Sequence, residues 1–204
     1  MALGVFLLIG SAALFALNER EAMEADMSAK ELLPRLIEQI QVDTEAEGSA
    51  PDAELPLGGL ELPDAYLDAK DFVMTELEID DHNYIGYLSI PKLALDLPVM
   101  SRWNYSNLKL SPCRYYGALK TDNLVIMAHN YDKHFGRIDE LMPGDTLFFV
   151  DVKGDVTGFE VIARDVLSAT AVDEMTSGDY DLTLFTCTYS GQDRVTVFCD
   201  KITK

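Results

Sequence analysis

Residues suited to nucleophilic chemistry stand at the ends of two apolar, strand-like runs in this 204-residue sequence. Cys187 closes the run 182–187, and Arg194 opens the next run after a connection that contains Gly191 and Asp193. Gly and Asp favour a hairpin turn, so the thiol and the guanidinium are expected on neighbouring strands, about 4.8 Å apart. A thiolate is a nucleophile, and a permanent cation beside it can stabilise an oxyanion. For this pair alone, the alternative is a structural surface arginine near a cysteine by chance.

The three histidines of the sequence are the candidates for a general base. His82 lies in the acidic junction ELEIDDHN, where a solvated linker is expected, and His134 lies in the polar loop YDKHFG. His129 follows the apolar run 124–128, so a buried strand would deliver an imidazole to its own end; a packed or capping histidine is the alternative reading. An imidazole with an ordinary pKa of about 6.5 and a thiol with one of about 8.5 can exchange a proton near neutral pH. Thiol, imidazole and guanidinium together form a candidate acyl-transfer site.

The other two cysteines fit this role less well. Cys199 alternates with Val195 and Val197 on one face of a strand, which predicts a buried packing thiol. Cys113 follows Ser111-Pro112 in a predicted turn, without an apolar strand to position it. Three cysteines cannot all pair with one another, so at least one thiol is expected to be free or to pair outside the chain. Paired metal-ligand spacings such as C-x-x-C or H-x-x-x-H do not occur, so we expect neither a metal nor a cofactor.

The segments that would position these residues are short, β-like runs that begin at Asn83. They are rich in Val, Ile, Phe, Tyr and Thr and are separated by turn residues: YIGYLSIP, ALDLPVM, NLVIMAH, TLFFVDV, GFEVIARDV, LTLFTC and RVTVFCDKI. Such a series predicts a sandwich or a closed barrel. A short helical turn is expected at 135–141, before the turn residues Pro143, Gly144 and Asp145. The predicted fold class is therefore all-β with minor helix.

Charge divides the chain into three parts. Residues 1–17 carry no charge, and residues 18–82 hold 19 acidic and 4 basic residues, whereas residues 83–204 are only mildly acidic. The formal net charge of −19 repels phosphate backbones, so nucleic-acid binding is excluded. We expect an exposed helix over 19–42, kinked or split at Pro34, followed by a solvated spacer over 43–65.

The first seventeen residues contain the uncharged stretch ALGVFLLIGSAALFAL. As a helix this stretch would span roughly 24 Å, slightly less than a bilayer core. We interpret it as the remainder of a single-pass N-terminal membrane anchor, with a buried core helix as the alternative. The flanking acids give no support for a cytoplasmic C-terminal side, so the remaining domains, 18–82 and 83–204, are predicted to lie outside the cell.

From about residue 83 to 202 the sequence resembles the sortases, the cysteine transpeptidases of Gram-positive cell surfaces. TLFTC at 183–187 fits the family's TLxTC nucleophile motif, and Arg194 follows at the opening of the last strand. IMAHN places His129 at the family's catalytic histidine position. GYLSIPKLALDLPV is similar to the family's opening strands, and 135–145 is similar to its F-x-x-L-x-x-L-x-x-GD segment.

The resemblance implies an eight-stranded antiparallel β-barrel, preceded here by a helix and linker, whose cleft holds Cys187, His129 and Arg194. Thr186 would help to position substrate, or serves only as a β-branched strand former. The apolar part of the substrate would contact Val166, Leu167 and Val172, which are expected in the loop before the catalytic strand. The short segment between Val161 and Leu182 argues against the long inserted helix of class B sortases.

By the same resemblance, Cys187 would cleave an LPxTG-type C-terminal sorting signal of a surface protein or pilin. The acyl group would pass to an amine on a peptidoglycan precursor or a pilin lysine, at the extracellular face of the membrane. A cysteine peptidase that passes the same acyl group to water, and a non-catalytic β-barrel binding module, are the alternatives.

Overall fold

A computed structural model describes residues 2–46 and 74–202 of the chain. The first range is a single helix, and the second contains all the strands and the remaining helices. The α-helices are α1 (Ala2–Ala46), α2 (Tyr105–Leu110) and α3 (Val172–Thr176), and short 3-10 helices occupy Pro91–Leu93, Leu119–Thr121 and Ile138–Glu140. The strands are β1 (Leu77–Ile79), β2 (His82–Ile90), β3 (Leu95–Met100), β4 (Cys113–Tyr116), β5 (Leu124–Met127), β6 (Thr146–Asp151), β7 (Val156–Ser168), β8 (Leu182–Cys187) and β9 (Asp193–Lys201).

Eight of these strands close into a barrel, as predicted. Their order is β2-β3-β4-β5-β8-β9-β7-β6, and pairing of β6 back onto β2 completes the ring, while β1 is added outside it on β2. The pairings β3–β4 and β5–β8 are parallel, and the other six around the ring are antiparallel. The all-antiparallel expectation therefore fails at two junctions, where connections cross an end of the barrel.

Alternation of apolar residues along the strands fills the barrel interior. Every second residue of β8, Leu182 and Leu184, is buried there, together with three phenylalanines, Phe135, Phe149 and Phe159. Removing these side chains from water is the main force that holds the ring together. The predicted helical turn at 135–141 is present as Ile138–Glu140, and it sends two further apolar side chains into the same core.

Two short strands and two residue placements differ from the sequence prediction. Cys113 is not in a turn: it is buried as the first residue of β4, which pairs with both β3 and β5. His82 is not in a solvated linker: it begins β2 and pairs with Ile79 of β1. Strands β1 and β4 contain only three and four residues, so pairing with neighbouring strands defines them rather than a hydrophobic pattern of their own.

Helix α1 runs unbroken through Pro34, so the predicted split at this residue does not occur. Its buried side chains Leu36 and Ile40 pack with apolar residues of β1, β2, β3 and α2. This packing compensates for the hydrogen bond that proline removes. The predicted spacer over 43–65 falls almost entirely outside the described residues.

None of the helices in the described part of the chain is long and apolar enough to cross a membrane.

Candidate active site

The parallel pairing of β5 with β8 brings His129 and Cys187 to the same end of the barrel. The register runs from Leu124 opposite Leu182 to Met127 opposite Phe185. One residue further, the amide of Ala128 donates to the carbonyl of Phe185 at 3.2 Å. The next residues in this register are His129 and Cys187. Because both strands run in the same direction, both residues reach the same end of the barrel.

Strand β9 brings Arg194 alongside Cys187, on the side of β8 away from β5. Cys187 and Arg194 are direct partners in the antiparallel β8–β9 ladder. Residues opposite one another in a sheet present their side chains to the same face. Phe185, two residues before Cys187, lies on the outer face of the barrel with Met127. Cys187 and Arg194 therefore share that outer face, and His129 follows the adjacent strand β5 at the same end of the barrel.

The turn between β8 and β9 holds the guanidinium of Arg194. Its Nη1 donates to the carbonyl oxygens of Gly191 at 3.2 Å and Asp193 at 3.0 Å. Gly191 adopts a φ of 72°, in the left-handed region that favours glycine, and its amide donates to the Thr188 carbonyl at 2.8 Å. The tight turn predicted from Gly191 and Asp193 is thus present, and its carbonyl oxygens hold the guanidinium of the residue that pairs with Cys187.

Cys187 is the accessible thiol of the three. Its residue is exposed, whereas Cys113 and Cys199 are buried and unpaired. Burial raises the pKa of the Cys113 thiol to about 12 and raises that of Cys199 still further. These two cysteines are therefore protonated and inert at neutral pH, which agrees with the prediction of a packing thiol for Cys199.

His129 is half-buried, and its surroundings favour the neutral imidazole. Desolvation lowers the pKa of His129, while the carboxylate of Glu21 raises it and the ammonium of Lys109 lowers it. Its ring stacks on that of Tyr131, with centroids 4.9 Å apart and planes at 27°. A neutral imidazole at physiological pH is able to accept the proton of a neighbouring thiol.

Thr186 joins the two strand ends that carry His129 and Cys187. Its residue is buried, and its hydroxyl donates to the Ala128 carbonyl at 2.8 Å. This bond lies one residue before both predicted catalytic groups. The hydroxyl therefore ties β8 to β5, and this contact supports a structural contribution for Thr186 in addition to its strand-forming side chain.

The three apolar residues that were predicted to contact the substrate do not share one loop: two lie in β7 and the third begins α3. Val166 and Leu167 lie inside β7 rather than in a loop, opposite Val195 and Arg194 respectively. The prediction of a loop position is wrong for these two because β7 extends to Ser168. Leu167 packs with the outer-face cluster around Phe185, on the face of Cys187, whereas Val166 points to the other face and is 57% exposed.

Val172 is half-buried at the first position of α3. The same helix places Met175 in the outer-face cluster with Phe185 and Leu167. Between β7 and β8 the structure contains only this five-residue helix, which agrees with the absence of a long insertion predicted from the sequence.

A cavity of about 110 Å³ adjoins the thiol on the side facing the barrel mouth. Its lining includes Cys187, Thr186, Tyr189 and Asp139. Cys187 is therefore accessible to small molecules from this side. Within residues 2–46 and 74–202, no group of three or more His, Cys, Asp or Glu side chains is arranged to hold a metal ion.

Sequence reasoning missed the environment of His134. The residue lies in a loop, as predicted, but it is completely buried, and neither ring nitrogen has a hydrogen-bond partner among the described residues. Burial and the proximity of His129 lower the pKa of His134 to about 4. Its local sequence is polar, and no signal there reveals that its surroundings exclude water.

Comparison with known proteins identifies the family. The model of the sortase domain matches residues 88–202, which is more than half of the chain. The chain therefore belongs to the sortase family, whose members are cysteine transpeptidases. A search of curated proteins finds no match.

Solved sortase structures share the fold of this chain. Sortase C from Clostridium perfringens SM101 is 20% identical with a TM-score of 0.53, and the match covers 95% of this chain and 99% of that one. Sortase C-1 from Streptococcus pneumoniae is 23% identical with a TM-score of 0.55, covering 69% and 86%. Sortase A from Corynebacterium diphtheriae is 20% identical with a TM-score of 0.54, covering 60% of this chain and 62% of that one.

Proposed function

We propose that this chain cleaves an LPxTG-like C-terminal sorting signal through a thioester on Cys187 and transfers the acyl group to an amine. The observation that carries the proposal is that His129, Cys187 and Arg194 lie at the same end of three adjacent strands, β5, β8 and β9. An exposed thiol between an imidazole and a guanidinium has the components that acyl transfer requires.

In the first half-reaction, His129 accepts the proton of the Cys187 thiol, and the sulfur attacks the carbonyl carbon of the threonine in the sorting signal. Arg194 donates hydrogen bonds to the oxyanion of the tetrahedral intermediate. The C–N bond to the following glycine then breaks, and the His129 imidazolium gives its proton to the leaving amine. The products are the released C-terminal peptide and a thioester between the threonine and Cys187.

In the second half-reaction, His129 removes a proton from the incoming amine, which attacks the thioester carbonyl. The new amide bond forms as the C–S bond breaks, and the proton held by His129 returns to the sulfur. The cavity beside Cys187 supplies room for the acceptor, an amine of a peptidoglycan precursor or a pilin lysine. Water in the same position would hydrolyse the thioester, which is the alternative activity of a cysteine peptidase.

The apolar residues of the sorting signal would bind across the outer-face cluster next to the nucleophile. Leu167 is opposite Arg194 on β7 and packs in this cluster, and Val172 begins the helix that contributes Met175 to it. Val166 points to the face of β7 opposite that of Leu167. It would therefore contact only a substrate that also reaches that face.

We place the enzyme at the extracellular face of the cell membrane, with residues 1–17 as its attachment and residues 18–82 between attachment and barrel. A membrane-held enzyme would meet membrane-held substrates at high effective concentration. Deletion of residues 1–17 tests this: the shortened chain should leave the membrane fraction. Retention in that fraction would contradict the placement.

Product analysis by mass spectrometry tests the proposed reaction. The protein is incubated with sorting-signal peptides, with and without an added amine such as triglycine. We expect cleavage between threonine and glycine and a threonine–amine product that depends on the amine. Cys187→Ala should abolish both products, and Cys113→Ala, which removes a buried thiol, serves as the matched control.

Each alternative predicts a different result from the same experiment. Cleavage that gives only the free acid, whatever amine is present, would establish a peptidase instead. Turnover that survives Cys187→Ala would exclude the proposed nucleophile. A protein that binds the peptides without cleaving them would be a binding module.

A further inference from the structure

The rings of His129, Tyr131 and His134 lie close together in the loop that follows β5. The Tyr131 ring stacks on His129, and the His134 ring is tilted against Tyr131, at 5.6 Å between centroids and 46° between planes. Tyr131 is only 6% exposed. The imidazole of His129 is therefore stacked on the buried ring of Tyr131, which in turn contacts the buried ring of His134.

Backbone hydrogen bonds hold this loop in place. The His129 carbonyl accepts from the Phe135 amide at 3.1 Å. The Tyr131 carbonyl accepts from the amides of His134 at 2.9 Å and Gly136 at 2.8 Å. The loop thus folds back on itself, and Tyr131 has little freedom to move away from His129.

Helix α1 holds the far end of the tyrosine. The Tyr131 hydroxyl donates to Oε2 of Glu21 at 3.4 Å, and Lys109 of α2 donates to Oε1 of the same carboxylate at 3.1 Å. Glu21 is 47% exposed at its side chain, so this ion pair adds little stability. The Glu21 carboxylate instead connects helix α1 to the hydroxyl of Tyr131, whose ring stacks on the imidazole of His129.

The groups around His129 come from every element packed near it. Helix α1 contributes Glu21, and α2 contributes Lys109, with opposite effects on the imidazole. His134 and Tyr131 belong to its own loop, and Asp26 of α1 acts on His134. Cys187 and Arg194 complete the set from β8 and β9.

We propose that Tyr131, oriented by Glu21 of helix α1, is a positioning residue that sets the orientation and the protonation of His129. This inference rests on the proposed function, in which His129 is the acid and base. Tyr131 acts through the imidazole and does not touch the substrate. Helix α1 is then part of the catalytic apparatus, although it lies outside the barrel.

The inference predicts opposite shifts from two substitutions. Tyr131→Ala exposes the His129 ring to water, and since desolvation lowers its pKa, the pKa of His129 should rise. Glu21→Gln removes the negative charge that raises this pKa, which should therefore fall. If Tyr131 and Glu21 only helped the loop to fold, the two substitutions would not move the pKa of His129 in opposite directions.

The measurement is an NMR titration of ¹³C-labelled histidine in the full chain. With three histidines in the sequence, His129→Gln assigns the signal. Glu24→Gln is the matched control, because Glu24 is also on α1 but pairs with Arg20; it should leave the titration of His129 unchanged. Tyr131→Leu replaces Tyr131→Ala if the alanine variant does not fold, and Glu21→Gln changes a partly exposed side chain.

The pH profile of transpeptidation gives a second readout. The His129 limb of kcat/KM should move in the same two directions, and Tyr131→Ala should lower kcat/KM about 10- to 100-fold because the imidazole loses its orientation. Tyr131→Phe keeps the stacked ring but loses the hydroxyl that bonds to Glu21, so its kcat/KM should lie between those of Tyr131→Ala and the wild type.

Two failures are distinguishable. If both substitutions leave the titration of His129 unchanged, or shift it in the same direction, the positioning inference is wrong even though the wild-type protein transfers acyl groups. If the wild-type protein forms no thioester, the proposed function is wrong, and the titration still decides whether Tyr131 and Glu21 control the imidazole.

Discussion

At the scale of the residue, the hydroxyl of Thr186 ties together the two strand ends that lead to the proposed catalytic residues. It crosses from β8 to the Ala128 carbonyl of β5 at 2.8 Å, immediately before Cys187 and His129. A β-branched side chain alone would form the strand equally well. The hydroxyl is therefore the part of this residue that serves the site.

Thr186→Val tests this contact because valine keeps the shape and removes the hydroxyl. The Ala128 carbonyl then loses its donor in a buried place, which should lower the free energy of unfolding by about 1–3 kcal/mol. We also expect kcat to fall, since the ends of β5 and β8 are no longer tied. Thr186→Ser keeps the hydroxyl and should stay near the wild type; equal losses for both variants would contradict the assignment.

His134 makes stability depend on pH. Its folded-state pKa is lowered to about 4, against an ordinary 6.5, so between these values the unfolded chain binds a proton that the folded chain does not. Stability therefore falls as the pH falls through this window. Between pH 7 and pH 5 the contribution is about 2 kcal/mol.

His134→Leu should remove this dependence. Urea unfolding at pH 7 and pH 5 measures it: the wild type should lose about 2 kcal/mol more than the variant over this interval. Because leucine also removes two buried polar atoms without partners, the variant should be no less stable than the wild type at pH 5. Parallel losses in the two proteins would show that His134 is not the group responsible.

At the scale of the element, the loop between β5 and the Ile138–Glu140 turn is built around one glycine. A Cβ at Gly136 would lie 2.6 Å from the Asn130 carbonyl oxygen and 2.7 Å from the Tyr131 carbonyl carbon. Both are backbone atoms, which cannot rotate away. The loop that carries His129 closes only because position 136 has no side chain.

Gly136→Ala should therefore displace the loop and reduce both the melting temperature and kcat/KM, the latter by about 100-fold if His129 moves by an ångström. Gly158→Ala is the matched control, because a Cβ there meets only side-chain atoms at 3.5 Å or more. Thermal unfolding and peptide-cleavage rates measure both. An active Gly136→Ala protein would show that the loop tolerates displacement.

The strands differ in how well the sequence predicts them. Strands β5, β8 and β9 are rich in apolar and β-branched residues, so their existence and the residues at their ends could be predicted from local pattern alone. Strand β4, whose sequence is CRYY, has no such pattern and was missed. The parallel pairing of β5 with β8 joins segments nearly sixty residues apart, and no local signal specifies it.

The candidate site follows the same division. The identity of Cys187 and Arg194 came from residue types at adjacent strand ends, which is local information. The burial of His134 and the contact of Tyr131 with Glu21 depend on packing within and between distant segments, and they could not be predicted from the polar sequence around them. Val166 and Leu167 were misplaced because β7 continues beyond its apolar run.

At the scale of the whole molecule, helix α1 and the barrel share a hydrophobic cluster. Leu36 is completely buried there with Tyr84 and Met100 of the barrel. Leu36→Ala should lower the free energy of unfolding by about 2–5 kcal/mol if helix and barrel unfold as one unit. Leu17→Ala, the same change at a position that is 59% exposed, should have an effect of no more than about 0.5 kcal/mol.

Urea unfolding followed by tryptophan fluorescence measures both variants, since the single tryptophan, Trp103, lies in the barrel segment. A barrel transition that Leu36→Ala does not change would show that α1 folds independently of it. In that case the link from Glu21 through Tyr131 to His129 would also lose its structural basis.

The most direct measurement is the mass of the protein trapped with a sorting-signal peptide before an amine is added. We predict a thioester adduct of the threonine-terminated peptide that maps to the fragment containing Cys187 and is released by triglycine as a new peptide. An adduct on Cys113 or Cys199, or no adduct while cleavage proceeds, would contradict the assignment of Cys187 as the nucleophile between His129 and Arg194.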